Sequence, residues 1–305
     1  MYDVIVVGGG PAGMTAALYA LRNGKSVLVL EKTGFGGQIT HSPKVENWPG
    51  TARMSGNEFA DAFLEQILDQ GAEVDLSEVI RVEDHGTYKT VYTAEGEAKD
   101  CRAVILATGV KHRELGLPGE REMTGEGVSY CAVCDGDFFK GRKVCVAGGG
   151  NSALQEALLL AGKCSEVVML QDLPEFTGEK KLQELLFARD NVSARTGVRI
   201  VDLGMDEEVR LTGVTVENAQ GQRETIPCDG LFVAIGLIPE NEAFGEVAKL
   251  DDRGYFEVPE SCVTGTPGIF AAGDCRAKEI RQLTTAAGDG SAAALAACRY
   301  IDSLG

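Results

Sequence analysis

Cys131 and Cys134 are the residues of this sequence whose types and spacing most directly suggest chemistry. Two cysteines three positions apart can close a small disulfide, in which one thiol acts as the interchange nucleophile and its partner holds the other electron pair. The same spacing also fits half of a zinc site, or two cysteines that are simply buried. The spacing alone leaves these alternatives open, so the surrounding segments have to decide between them.

A glycine-rich segment near the start of the chain is typical of a dinucleotide site. The β-branched run Val4-Ile5-Val6-Val7 predicts a buried parallel strand, and Gly8-Gly9-Gly10-Pro11-Ala12-Gly13 follows it in the G-x-G-x-x-G pattern. Gly8 permits the tight turn, Gly10 lets the backbone approach a pyrophosphate, and Gly13 lets the next helix pack against the strand.

The elements after this segment complete a mononucleotide-binding unit. A helix predicted over 14–22 would present its free N–H groups to the phosphates. A second strand, 26–30, ends in Glu31, which is placed to accept hydrogen bonds from an adenosine ribose. A later buried strand, 103–107, ends in a Thr-Gly turn, and a small-residue helix is predicted over 286–299.

The same plan recurs in the second half of the chain. The strand over 144–147 leads into Gly148-Gly149-Gly150, with Ala153 at the position that Gly13 occupies in the first copy. Further strands are predicted over 166–170 and 231–236. We therefore predict an α/β fold with two Rossmann-like, three-layer ββα dinucleotide-binding domains, the second inserted in the first.

Composition and charge exclude several functions. The formal net charge of −17 argues against nucleic acid and against anionic membrane surfaces as partners. Nine cysteines with a single close pair predict neither a secreted disulfide framework nor a two-knuckle zinc site. No signal peptide and no apolar run of about 20 residues is visible, so we expect a cytoplasmic protein.

Together these segments resemble the low-molecular-weight thioredoxin reductases. The resemblance covers nearly the whole chain and is carried by the segments GGGPAG at 8–13, GGQ at 36–38, ENWPG at 46–50, ATG at 107–109, CAVCDG at 131–136, GIFAAGD at 268–274 and RQLTTA at 281–286. It implies a discontinuous FAD-binding domain, 1–113 and 240–305, and an NAD(P)H-binding-like domain, 114–239, that carries the redox disulfide.

The resemblance also implies a set of cofactor contacts. Asp274 ends a short strand, where a carboxylate can bond a ribityl hydroxyl of a flavin. The positions that match the family's FAD-binding motifs are Gly8, Gly10, Pro11, Ala12, Gly13, Glu31, Gly37, Gln38, Asn47, Thr108, Gly109, Gly273, Asp274, Arg281, Gln282 and Leu283.

The same resemblance assigns the chemistry to three residues. Cys134 would face the flavin, Cys131 would attack the substrate disulfide, and Asp135 would serve as the acid/base for the thiols. Two electrons would pass from reduced FAD through the disulfide to a thioredoxin-like protein. The resemblance further implies a homodimer and a rotation of the two domains.

One segment departs from the family's pattern. Members that use NADPH place a His-Arg-Arg run after the strand of the second fold, whereas this chain has Gln171-Asp172-Leu173-Pro174-Glu175, with no cation before Lys180 and Lys181. An unpaired carboxylate repels a phosphate. Asp172 could instead bind the ribose of NADH, or the two lysines could restore NADPH binding.

The third explanation is favoured, namely that electrons reach FAD from another carrier such as ferredoxin. The departure resembles the ferredoxin-dependent flavin thioredoxin reductases, which lack the basic NADPH motif. A function of another class is a non-catalytic flavin protein whose cysteine pair senses thiol redox poise.

Overall fold

The computed structural model describes residues 1–42 and 45–305. Its strands are β1 (Tyr2–Val7), β2 (Val27–Glu31), β3 (Glu73–Leu76), β4 (Val79–Asp84), β5 (Lys89–Thr93), β6 (Ala98–Leu106), β7 (Lys111–His112), β8 (Val128–Ser129), β9 (Lys143–Ala147), β10 (Glu166–Gln171), β11 (Val192–Thr196), β12 (Val198–Met205), β13 (Leu211–Asn218), β14 (Arg223–Pro227), β15 (Gly230–Val233), β16 (Leu237–Ile238) and β17 (Ile269–Ala271). Its α-helices are α1 (Pro11–Arg22), α2 (Gly56–Asp69), α3 (Ala132–Asp135), α4 (Asn151–Ala161), α5 (Lys180–Phe187) and α6 (Leu283–Ser303), and short 3₁₀ helices span Gly37–His41, Gly136–Phe139 and Glu242–Phe244.

The chain divides into two compact units. Unit 1 combines Met1–Lys111 with Ile238–Gly305, and unit 2 is the continuous segment His112–Leu237 inserted between them. The divisions fall just before the predicted boundaries at 113 and 239. The predicted α/β class with two Rossmann-like units is confirmed by the sheets of both units. In the described part of the chain, no helix combines the length and apolarity that crossing a membrane requires.

Unit 1 is built on one sheet in the order β3-β2-β1-β6-β5-β4, with β17 also paired to β6. The strands β3, β2, β1, β6 and β17 run parallel to one another, whereas β5 is antiparallel to β6 and β4 is antiparallel to β5. Successive residues of β1 point to opposite faces. Val4 and Val6 pack with the apolar side chains of α1 and α6, and Ile5 and Val7 pack in the second core with Val91.

Unit 2 repeats this arrangement with a parallel sheet in the order β11-β10-β9-β15-β8 and a separate antiparallel sheet, β12-β13-β14. Val144 and Val146 of β9 face α4, while Cys145 between them faces the three-stranded sheet, where Val214 lies. The apolar residues of β9 therefore alternate between two cores. Unit 2 thus has three layers: helices, a parallel sheet and an antiparallel sheet.

Two helices are longer than predicted, because their capping residues extend them. α1 starts at Pro11, with Gly10 as its N-cap, since proline is well suited to the first helical position, where no N–H partner is needed. α6 starts at Leu283, because Gln282 and Thr285 form a capping box that satisfies the free backbone groups of the first turn.

Candidate active site

The cysteine pair lies at the start of a short helix in unit 2. Cys131 and Cys134 are joined by a disulfide, with their Cα atoms 5.3 Å apart. Cys131 is the N-cap residue of α3, and its Sγ accepts a hydrogen bond from the backbone N–H of Cys134 at 3.2 Å. Both cysteines are half-buried, and Val133 between them is 53% exposed. The pair is thus a disulfide within reach of solvent rather than two separately buried thiols.

Asp135, the third predicted catalytic residue, is held beside the disulfide by a serine. Its Oδ2 accepts a hydrogen bond from Ser129 Oγ at 2.7 Å, and the same Oγ accepts the N–H of Cys131 at 3.1 Å. Oδ1 is buried and has no hydrogen-bond partner. Burial raises the pKa of Asp135, although the Ser129 hydrogen bond acts in the opposite direction. This carboxyl group can therefore hold a proton next to the thiols at a pH where an exposed aspartate could not.

Two groups at this site were not identified by sequence analysis. Ser129 lies at the end of β8 and links Cys131 to Asp135. Glu156 lies on α4, and the backbone N–H of Ala132 is close enough to its carboxyl group to lower the pKa of that group, which burial raises. No sequence motif marks a serine two residues before a cysteine or a glutamate on another helix. Only the fold could therefore reveal these two residues.

In unit 1 the first glycine loop has the geometry that its motif predicts. Gly8 has φ of 108°, and a Cβ there would lie 2.2 Å from the carbonyl oxygen of Ala107. A Cβ on Gly13 would lie 1.8 Å from the carbonyl oxygen of Gly8. Side chains are excluded at both positions, so the loop turns tightly and α1 begins close to the sheet. At the N-terminus of α1 the N–H groups of Ala12 and Gly13 have no partner within the helix, while Pro11 has no N–H to satisfy.

Glu31 holds this loop in place. Its Oε2 accepts the N–H of Gly9 at 2.7 Å, and its Oε1 accepts the N–H of Thr33 at 2.9 Å. The sequence pattern predicts a ribose contact for Glu31, and the structure adds this support of the loop. Oε1 also accepts the O–H of Thr33 at 3.2 Å, whereas Oε2 keeps a further lone pair, so the ribose contact stays a compatible prediction.

Asp274 carries a buried oxygen that is suited to a hydroxyl ligand. Its Oδ1 is cut off from solvent, lies 3.4 Å from Lys278 Nζ and accepts no hydrogen bond. Burial raises the pKa of Asp274, against the effect of Lys278 and Arg281. Gly273, the preceding residue, would place a Cβ 2.7 Å from the Cβ of Ala12 in the glycine loop. An unsatisfied acceptor beside the glycine loop is compatible with the predicted contact to the ribityl chain of a flavin, which stays a prediction.

The other predicted contacts fall into two groups. Gly37 and Gln38 open the 3₁₀ helix after β2, and Gly37 lies close to the Cα of Gly10. Thr108 donates from its Oγ1 to Asn241 Oδ1 at 2.6 Å, next to the turn at Gly109. These residues lie around or near the glycine loop.

The C-terminal contacts are tied mainly to protein groups. Asn47 Nδ2 donates to Gln282 Oε1 at 3.2 Å, at the first turn of α6 that Leu283 opens. Arg281 donates to the carbonyl oxygens of Asp274, Lys278 and Arg276 at 2.9–3.1 Å. Its guanidinium orders a loop, and its cofactor contact stays a prediction.

The second glycine loop, in unit 2, is covered by the segment that follows β10. The N–H groups of Thr177 and Gly178 both donate to the carbonyl oxygen of Gly149 at 2.9 Å. Asn151, at the start of α4, is paired with Glu179 through two hydrogen bonds of 3.1 and 2.7 Å. This segment places a carboxylate, and no cation, beside the N-terminus of α4.

The other charged side chains of the segment after β10 are also carboxylates. Asp172 and Glu175 are exposed, and the next cations along the chain, Lys180 and Lys181, are exposed at the first turn of α5. Before Lys180 the segment after β10 therefore offers the 2′-phosphate of a nucleotide carboxylates rather than cations.

Comparison with known proteins agrees with this geometry. Residues 2–290 match the family described as pyridine nucleotide-disulphide oxidoreductase. The chain is 40% identical to a thioredoxin reductase of Listeria monocytogenes and 38% identical to one of Bacillus subtilis, in both cases over 100% of this chain and at least 95% of the relative. A crystal structure of thioredoxin reductase from Streptococcus pyogenes superposes with a TM-score of 0.94 at 37% identity, covering 99% of each chain.

These matches extend over both units and therefore include the two glycine loops and the cysteine pair of this chain. The family implies a flavin, and the glycine loop with the unsatisfied Asp274 oxygen fits one. The chain therefore belongs to the pyridine nucleotide-disulphide oxidoreductases and, within them, to the low-molecular-weight thioredoxin reductase family of flavoprotein enzymes.

Proposed function

We propose that this protein reduces the disulfide of a thioredoxin-like protein, with Cys131–Cys134 as the carrier of the electron pair. The observation that carries the proposal is the disulfide on α3, half-buried and flanked by a carboxyl group of raised pKa. Reduced FAD, when bound in unit 1, would supply the electron pair that opens this disulfide. Gly8, Gly10, Gly13 and Asp274 are the residues we assign to holding it.

The protein side chains then carry out thiol–disulfide exchange. Cys131, as thiolate, attacks one sulfur of the substrate disulfide, and a mixed disulfide forms while the other substrate sulfur leaves as a thiolate. Cys134 attacks Cys131 Sγ, which releases the reduced substrate and restores the internal disulfide. Asp135, kept in position by Ser129, gives a proton to the leaving thiolate and takes one from the attacking thiol.

Turnover of a thioredoxin, with a chemically reduced ferredoxin or a nicotinamide as donor, tests this proposal. We expect Cys131→Ser to abolish turnover, and Cys134→Ser to accumulate a mixed disulfide between Cys131 and the thioredoxin. Cys164→Ala, which removes a buried free thiol of the same unit, should retain activity. Full activity of Cys131→Ser would refute the mechanism, and absence of repeated turnovers would favour the non-catalytic sensor.

For the electron donor, we propose that NADPH is not used and favour ferredoxin. The support is the charge of the segment after β10, where Asp172 and Glu175 are exposed and Glu179 lies beside Asn151 at the start of α4. These carboxylates oppose a 2′-phosphate. An NADH-dependent or an NADPH-dependent enzyme remains the alternative, because Asp172 could bind a ribose and Lys180 or Lys181 could bind a phosphate.

Anaerobic loss of flavin absorbance distinguishes these donors. We expect rapid bleaching by reduced ferredoxin and none by NADPH or NADH. Rapid bleaching by NADH that Asp172→Ala abolishes would instead establish the NADH alternative. Rapid bleaching by NADPH that is lost when Lys180 and Lys181 are both changed to alanine would establish the NADPH alternative.

We also propose that the protein works as a cytoplasmic homodimer, as the family resemblance implies. Seven cysteines are free in the described structure, which suits a reducing compartment. Unit 1 has an open apolar cleft of about 450 Å³ whose wall includes Trp48, Phe59 and Phe63. Light scattering coupled to gel filtration should give twice the mass of one chain, and the mass of a single chain would refute the dimer.

A further inference from the structure

Glu156 is a second carboxyl group beside the redox disulfide. It lies on α4, and its carboxyl group lies close enough to the backbone N–H of Ala132, the residue directly after Cys131, for that N–H to lower its pKa. Ala132 is fully buried, so this N–H has no access to solvent. Glu156 therefore lies against a buried backbone group between the two cysteines.

The second oxygen of Glu156 is unsatisfied. Oε2 is buried and has no hydrogen-bond partner, a state that occurs at few buried polar atoms in native structures. Burying an ionised carboxylate oxygen without a partner costs much free energy, whereas burying a protonated carboxyl group costs much less. Asp135, on the other side of the cysteine pair in sequence, also has one unsatisfied oxygen. The disulfide thus has two incompletely satisfied carboxyl groups near it.

The charged groups packed around α4 are engaged elsewhere. Asp137, on the 3₁₀ helix after α3, pairs with Lys163 at 2.9 Å. Glu179, from the segment above the start of α4, bonds to Asn151, and Asp135 bonds to Ser129. Burial and the Ala132 N–H together account for the pKa of Glu156, which burial raises to about 7. No cation among the described residues contributes to it.

We propose that Glu156 is a positioning residue for the Cys131–Cys134 disulfide and takes up a proton when that disulfide is reduced. The inference deepens the proposed reductase function and rests on it. Two electrons, from the flavin in the reaction or from dithiothreitol in a test, break the Sγ–Sγ bond. One proton converts one sulfur to a thiol, and the ionised fraction of Glu156 binds another, so that the remaining thiolate does not face a second negative charge.

This role requires a group that faces the Ala132 N–H and also titrates. Glu156→Gln keeps a side-chain oxygen and the size of the side chain but cannot bind the proton, whereas Glu156→Ala loses both properties. Glu184→Gln is the matched control, since it removes an exposed carboxylate from α5 of the same unit. A purely structural role for Glu156 would leave the titration of the thiols unchanged in Glu156→Gln.

The test is the pH dependence of alkylation of Cys131 and Cys134 in the flavin-loaded full-length protein after reduction, followed by mass spectrometry. In the unmodified protein, Glu156 loses its proton again as pH rises and then opposes the thiolate, whereas the side chain in Glu156→Gln stays neutral at every pH, so we expect this variant to shift the profile to lower pH by roughly one unit. The profile of Glu184→Gln should coincide with that of the unmodified protein. An infrared difference spectrum between the oxidised and reduced protein should show a carboxylic acid band that Glu156→Gln abolishes.

The outcomes separate this inference from the reductase proposal. An alkylation profile of Glu156→Gln that coincides with the unmodified protein, or an unchanged acid band, would overturn the role of Glu156. This conclusion does not depend on whether Glu156→Ala folds, because Glu156→Gln is the variant that decides the test. A shifted profile in a protein that never turns over a thioredoxin would refute the reductase function and leave the proton uptake intact.

Discussion

At the scale of single residues, the chemistry of the site depends on buried carboxyl groups more than on the cysteines alone. Asp135 and Glu156 each have an oxygen without a partner, and burial raises the pKa of both. Ser129 connects Asp135 to the N–H of Cys131. We therefore assign proton transfer at the thiols to these two carboxyl groups, which the cysteine pair alone does not provide.

Asp135→Asn tests the acid/base role that we propose for this residue. An amide occupies the same space but cannot exchange the proton, so we expect turnover with a thioredoxin to fall by about 10²-fold, the lower range for loss of a general acid/base. Asp137→Asn is the control, because Asp137 is exposed, lies two positions along the same segment and pairs with Lys163. Equal activity of the two variants would contradict the role.

Glu156 should also make stability depend on pH. Because its pKa rises from 4.5 to about 7, the folded protein keeps a proton that the unfolded chain releases between these values. Stability is then full below the unfolded pKa and is lost as pH rises through the folded pKa, by about 3 kcal/mol in total. Urea unfolding at pH 5 and pH 8 should show this loss in the unmodified protein and in Glu184→Gln, and its reduction in Glu156→Gln. An equal loss in all three would contradict the raised pKa.

At the scale of elements, close approach of helices fixes the flavin-binding unit. α6 packs on α1 at Gly290, where a Cβ would lie 2.2 Å from the carbonyl oxygen of Ala12 and 3.0 Å from Thr15 Cβ. Ala12 belongs to the glycine loop and also faces Gly273. The spacing of two helices therefore controls the shape of the loop that we assign to the cofactor phosphates.

Gly290→Ala and Gly288→Ala form a matched pair that tests this packing. The first has to push α6 away from α1, and we expect it to cost about 1–3 kcal/mol and to lower the flavin content of the purified protein. The second meets no atom within 4 Å, so its higher helix propensity should leave stability unchanged or raise it by up to about 1 kcal/mol. Urea unfolding and the ratio of flavin to protein absorbance measure both effects, and similar values for the two variants would argue against the proposed constraint.

At the scale of the whole molecule, the insertion separates two structures with their own cores. The two apolar cores of unit 2 are formed by described residues that all lie within 112–237. Unit 1, in contrast, needs both ends of the chain, since β17 and α6 complete the sheet and helix layers begun by β1 and α1. A continuous unit with two complete cores should not need the rest of the chain in order to fold.

A fragment of residues 112–237 should therefore fold by itself. We expect a cooperative thermal transition, a reducible Cys131–Cys134 disulfide and no bound flavin. Circular dichroism and thiol titration check these properties, with the full-length protein as reference. A fragment without a cooperative transition would show that the cores of unit 2 are insufficient.

The sequence by itself determined the features that depend on local conformation. Gly8 and Gly13 mark the tight turn because no side chain fits at either position, and alternating residues of β1 enter two cores because a strand has a period of two. The three-residue spacing of Cys131 and Cys134 allows their disulfide, and the acidic character of the segment after β10 follows from its residue types alone.

Only the tertiary structure decided the surroundings of these groups. Glu31 supports the loop at Gly9, and Glu156 reaches Ala132 from another helix, at distances along the chain that no motif encodes. The tertiary structure also left Asp135 and Asp274 each with one buried, unsatisfied oxygen. A pKa is set by desolvation and by the partners that the whole fold brings together, so the sequence could name these carboxyl groups but could not say which would keep a proton.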